Sequence, residues 1–218
     1  MSEDVSIYAD ADKMICLKHT RLYYRNLSIT TSLIDVLPNH SKDTVTIIVT
    51  ENQDILAKIN ADHFNFLILI VPEKIMISLN FHLYNAIVYK YKENESHQIA
   101  TEEILVSLIS FIFDRDYSLD LQDVKKILCF KKGQYLNIDY NSIKVRYLDQ
   151  AVYGSLQHDT SLIIHMNLKL LTLDKIESIV DMVVENLKDE YLGDIFWEGK
   201  ACGDILSEEF FVLYAVAD

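Results

Sequence analysis

The stretch that decides the fold is TVTIIVTENQDILAKINADHFNFLILIVP, residues 44–72. Its first run, Val45 to Val49, is mostly β-branched and bounded by polar residues, the pattern of a buried strand. Ile55, Leu56 and Ile59 then recur at helical spacing. The second run, FNFLILIV (64–71), is apolar without alternation and stops at Pro72. A strand of that kind is expected to be buried on both faces. Strand, helix and strand in so short a span is the pattern of a parallel sheet with helical crossovers.

On the N-terminal side, SITTSLIDVLPN (28–39) reads as a short helix, with Ser28 as cap, Leu33, Ile34 and Leu37 as its apolar face and Pro38 at its exit. On the C-terminal side, residues 73–95 mix strand-like and helical patterns and read as helix or loop. HQIATEEILVSLISFIF (97–113) is apolar nearly all round and predicts a helix buried between two layers, with Glu102 and Glu103 suiting its positive end. An acidic loop follows, and then SLDLQDVKKIL (118–128) opens an amphipathic helix. Asp120 and Asp123 at its start are natural caps.

The last third changes style. QYLNIDYN is a predicted strand, SIKVRYLDQAVYG a helix, TSLIIHMNL a strand, and TLDKIESIVDMVVENLKDEY a helix. The apolar face of that last helix is Leu173, Ile176, Val180, Val183, Val184 and Leu187. LGDIFWEGKAC and EEFFVLYAVAD close the chain as a two-strand meander, with Trp197 expected in the core. The fold class is thus an α/β part with a parallel sheet, a central buried helix, and an α+β part.

Composition narrows the function classes. Half of the 218 residues are apolar and 24% are charged, as in a globular protein with a sizeable core. A net charge of −13 opposes nucleic-acid binding, because a phosphate backbone needs clustered Lys and Arg. No apolar run reaches membrane-helix length, so no membrane insertion is expected. The acidic N-terminus shows no signal peptide, and a cytoplasmic location is expected. Cys16, Cys129 and Cys202 form no metal or redox motif, and His158 and His165 have no ligand-spaced partners. All five glycines lie at or after Gly133. A phosphate-cradling loop needs glycine where backbone N–H groups approach the ligand, so the first 132 residues hold no such loop. One basic stretch stands out on this acidic chain: Lys13, Lys18, Arg21 and Arg25.

The order of elements, with SLDLQDVKKIL just after the central helix, resembles FtsZ of the tubulin superfamily. The C-terminal segment from His158, ending in VLYAVA, resembles that family's C-terminal domain element by element. TVTIIVT and FNFLILIVPEK are similar to two strands of its GTPase domain. ADKMICLKH stands where a strand leads into the family's signature loop. The resemblance divides the chain into a truncated, degenerate GTPase-like half (1–96), the central helix and acidic loop (97–117) and an FtsZ-like C-terminal domain (118–218). It also implies that the family's first strands have no counterpart here. KMICL would then sit at a sheet edge, covered by VSIYA (5–9) or by a second chain.

The family's loop G-G-G-T-G-[ST]-G is replaced by TRLYYRNLS, so Arg21, Tyr23, Tyr24 and Arg25, after Lys18, stand where the phosphate-binding glycines would be. The family pattern N-x-D-x-x-D, whose acids reach the GTP of the next subunit, is matched by Ser118, Asp120 and Asp123. The resemblance therefore implies a subunit with no bound GTP, no cofactor and no metal, not itself an enzyme. It would act by contact with an FtsZ-like partner or by self-association, as a filament-forming, capping or regulatory subunit in bacterial cell division or a related scaffold. Two alternatives stand beside this. Asp120 and Asp123 could complete a GTPase site in trans on a partner's GTP, or the chain could be a binding module unrelated to filaments. Were the acidic loop to meet the basic loop of a neighbour, head-to-tail chains would follow.

Overall fold

The computed structural model describes residues 4–14, 28–36, 44–75, 86–92, 94, 96–113, 121–128, 141–142, 161–187, 191–201 and 209–216. The chain divides into two compact units, Met1–Asn141 with Ala217–Asp218, and Ser142–Val216. The helix that follows the acidic loop falls within the first of these units.

The first unit is built on a five-stranded sheet of β1 (Asp4–Ala9), β2 (Ser28–Leu33), β3 (Val45–Val49), β4 (Leu67–Pro72) and β5 (Ala86–Tyr91). Their order is β2-β1-β3-β4-β5 and every neighbouring pair is parallel. All residues of β3 and β4 are buried, as their unbroken apolar runs require. Each such Ile, Leu or Val contributes about 1.5–3 kcal/mol relative to an exposed position. The helical spacing between the two strands yields the short α1 (Gln53–Leu56) and a 3-10 turn, Ala61–His63. Asn52 and Asn60 cap these by accepting from backbone N–H groups with their side-chain oxygens.

Three expectations are corrected in this unit. Residues 28–33 form a strand rather than a helix, and only Ile34–Val36 turn as 3-10. Ile29, Thr30 and Thr31 are β-branched and stiff at χ1, and pairing with β1 decides in favour of the pleat. Residues 86–91 are likewise a strand, AIVYKY being β-branched and aromatic. VSIYA is not an edge cover but lies in β1, between β2 and β3, while Lys13 of KMICL sits in a 3-10 turn, Ala11–Lys13. The described edge on that side is the uncharged β2; residues 15–17 lie outside the described residues.

The long apolar segment forms α2 (His97–Ile104), a π-helical stretch (Leu105–Ile109) and α3 (Ser110–Phe113). Ser96 caps it, accepting from the N–H of Ile99 at 3.2 Å. Ala100, Ile104, Leu105, Leu108 and Ile109 are buried and α2 packs on β4, whereas Ile99 faces out. In α4 (Leu121–Leu128), Val124 is buried and the Lys125 ammonium lies 6.0 Å from the centre of the Phe66 ring.

The second unit has a sheet of order β6-β9-β7-β8, from β6 (Asn141–Ser142), β7 (Leu162–Leu168), β8 (Ile195–Ala201) and β9 (Glu209–Val216). β8 runs parallel to β7, and β9 antiparallel to it. The closing strands are therefore not a meander, because β7 lies between them. α5 (Leu173–Asn186) is the crossover from β7 to β8, capped by Thr172. Leu162, Ile164, Met166 and Leu168 alternate onto one face of β7 and form a core with Ile176, Val183 and Val212. Gly199 leaves room for Leu171, whose side chain occupies the space that a Cβ would take. Two further expectations fail here. Trp197 is 48% exposed rather than core, and Leu173 and Val184 face solvent at one flank of the apolar face of α5.

Candidate functional site

The strand order of the first sheet singles out one place. The connection from β1 leads outward to β2, and the chain then returns to the other side of β1 as β3. In open parallel sheets of this order, ligands bind outside the carboxyl ends of the strands where the direction reverses. Residues that follow β1 and β3 line that position here, joined by the end of β5 and the start of α2.

Asp10, directly after β1, accepts two hydrogen bonds on Oδ2, from the Thr50 hydroxyl at 2.8 Å and the Glu51 N–H at 3.2 Å. The buried Thr50 hydroxyl in turn accepts from the N–H of Asn52 at 3.0 Å. The carboxyl ends of β1 and β3 are thereby tied together through side chains. Lys13, whose side chain is only 12% exposed, places its ammonium 2.8 Å from Glu51 Oε1 and 3.7 Å from Asp12 Oδ2. The Tyr91 hydroxyl donates to the same Glu51 oxygen at 3.3 Å.

The electrostatics follow from this geometry. The hydrogen bond from Lys13 holds the Glu51 carboxyl below the usual carboxylate range, against the opposing effect of burial. Burial disfavours the ammonium of Lys13, but the hydrogen bond to Glu51 and the negative charges around it outweigh that and raise its pKa. Tyr91 is pushed up to about 12, by burial first and then by the Glu51 charge, so it is a protonated donor at neutral pH. His97 is lowered by burial and then by the charge of Lys13. The result is a network in which Glu51 and Asp12 flank an engaged lysine, with Asp10 held beside Glu51 through the Glu51 N–H. Such a site offers an incoming anion carboxylates and a lysine that is already engaged.

Of the residues singled out from sequence, Asp123 lies in the first turn of α4, half-buried, where an acid suits the helix dipole. Ser118 and Asp120 lie outside the described residues, as do Lys18, Arg21, Tyr23, Tyr24 and Arg25. Lys13, the described member of the basic stretch, pairs with Glu51. His165 is fully buried on β7 beside Glu198 of β8, its register partner, with the Nδ1 atom 3.8 Å from Glu198 Oε1. Among the described residues no group of three His, Cys, Asp or Glu side chains could hold a metal ion, and no helix is long and apolar enough to cross a membrane. Sequence reasoning missed Asp10, Thr50, Glu51 and Tyr91. The available signal was position, since Thr50 and Glu51 are the first polar residues after a buried parallel strand.

The fold and site define a mixed α/β protein with a central parallel sheet whose carboxyl edge carries a network of hydrogen bonds and an ion pair between its own residues. Neither a family model nor a curated protein matches the sequence. Among solved structures, the chain is similar to a Trp-to-Tyr mutant of FtsZ from M. jannaschii, with a TM-score of 0.43 and 9% identity, over 100% of this chain and 91% of that chain.

Proposed function

We propose that this chain is a nucleotide-free, non-catalytic subunit that works by protein–protein contact, as a filament-forming, capping or regulatory partner of an FtsZ-like protein in the cytoplasm. The observation that carries the nucleotide-free part is the Lys13–Glu51 pair at 2.8 Å, set among Asp10 and Asp12 where a doubly wound sheet would seat a phosphate. The lack of any glycine before Gly133 supports the same reading, since no backbone there is freed for close approach to phosphate. The FtsZ-like part rests on the sequence resemblance of the C-terminal segment and of the collinear elements before it.

The test is to mix the protein with GTP-loaded FtsZ and follow light scattering together with phosphate release. Less scattering with less turnover supports a capping subunit, and more scattering at unchanged turnover per polymer supports co-assembly. Increased turnover that depends on Asp120 and Asp123 would instead make the chain a trans-acting contributor to GTP hydrolysis. No change in either signal contradicts the filament-related reading.

A further inference from the structure

The second unit carries an apolar surface that its own core does not use. On α5, the core-facing residues are Ile176 and Val183, yet Leu173 is 72% and Val184 45% exposed. Trp197 alternates with Ile195 onto the face of β8 that meets α5, and is itself 48% exposed. β8 is the terminal strand of its sheet among the described residues. β7, α5 and β8 form a parallel crossover, and such connections are right-handed almost without exception. With about 100° of turn per residue, that hand directs the flank bearing Leu173, Val180 and Val184 towards the β8 side, where Trp197 stands.

Charge identifies what this surface accepts. Leu173, Glu177, Asp181 and Glu185 form one i,i+4 row, next to the row Ile176, Val180, Val184. Asp174, Glu177, Asp181 and Glu185 are all exposed. The nearby lysines point elsewhere: Lys175 falls on the opposite flank of α5, and Lys200 alternates onto the other face of β8. An apolar strip bordered by an acidic row opposes two-fold pairing with a second copy, which would set acid against acid, and it opposes an anionic membrane. It is complementary to a segment that carries large apolar side chains flanked by cations.

We propose that the α5–β8 edge is a docking site for a partner protein's basic amphipathic segment, its apolar side chains on Leu173, Val184 and Trp197 and its lysines or arginines on Glu177 and Asp181. This rests on the reading that the chain works by protein contact, and it names the surface and the chemistry of the partner.

Trp197 is the single tryptophan of the chain and reports on the site directly. The probes are a tryptophan-free amphipathic peptide of leucine and lysine, and the same peptide with glutamate for lysine, titrated into the full chain while its emission is recorded. The lysine peptide is expected to shift the emission to the blue in a saturable way, and the glutamate peptide to bind at least about tenfold more weakly. The variants Leu173→Ser with Val184→Ser, and Glu177→Lys with Asp181→Lys, should each weaken the lysine peptide by about tenfold while leaving the far-ultraviolet circular dichroism unchanged. The proposal fails if the two peptides act alike or neither acts. It fails equally if the shift follows protein concentration alone, as self-association would give, or needs anionic vesicles. If the chain alters FtsZ assembly and both sets of variants alter it just as much, the contact reading stands and this surface is the wrong one.

Discussion

Replacing Glu51 by Gln tests whether the carboxyl edge of the first sheet is held by its own charges. The change keeps size and an accepting oxygen but removes the charge that lies 2.8 Å from the Lys13 ammonium and also receives the Tyr91 hydroxyl. Lys13 is left poorly solvated, at 12% exposure, with Asp12 at 3.7 Å as its remaining acidic neighbour in the network. A hydrogen bond to a charged group contributes about 1.5–3 kcal/mol. Glu51 itself is 38% exposed, so water screens the pair and reduces this to about 1–1.5 kcal/mol. The pH dependence has a definite sign. The Glu51 pKa is depressed from 4.5, so its contribution is present above that value and lost as pH falls through the folded pKa. The Lys13 pKa is raised from 10.5, so its contribution is present below that value and lost as pH rises through the folded pKa. Urea unfolding followed by circular dichroism should therefore show Glu51→Gln less stable on a plateau between roughly pH 5 and 10, with the difference shrinking at both ends. Lys13→Met combined with Glu51→Gln should cost less than the two single changes added. A pH-independent difference, or strict additivity, would refute the reasoning.

Thr50→Val removes the hydroxyl that bridges Asp10 and the Asn52 N–H and should cost about 1–3 kcal/mol, more than Thr50→Ser, which keeps the bridge; equal stability of the two variants in urea melts would contradict the bridge. Gly199→Ala places a methyl group where the end of the Leu171 side chain lies, and should destabilise by about 1 kcal/mol, with Leu171→Ala in the same chain restoring part of the loss; no rescue in thermal melts would count against that contact. His165→Leu and Glu198→Leu should each cost about 1–3 kcal/mol in urea melts, because both residues are buried and adjacent, and the double variant should cost less than their sum; additive losses would show that the two do not depend on each other.

The parts of the fold that could be read from sequence are those where one signal dominates. The apolar runs of β3 and β4 admit no helix of useful length, and the α5 periodicity admits no strand. SITTSL failed because its Ser28 and its spaced Leu33 and Ile34 imitate a capped helix, while the pairing with β1 that decides it is non-local. Trp197 failed because its apolar neighbours imply a core strand, whereas β8 is terminal among the described strands and Trp197 is 48% exposed. The meander failed because adjacency in sequence does not reveal that β7 inserts between β8 and β9. The candidate site was hidden for a related reason. Asp10, Glu51 and Tyr91 are far apart in sequence, and only the strand order brings them to one edge. Asp123 was legible as a helix-start acid, a reading that the first turn of α4 supports by itself.

The most direct test is a calorimetric titration of GTP and of GDP, each with magnesium, into the purified 218-residue chain. With Lys13 engaged by Glu51 and carboxylates beside it to repel phosphate, no heat beyond that of dilution is expected. Saturable binding of either nucleotide at micromolar concentration would contradict it.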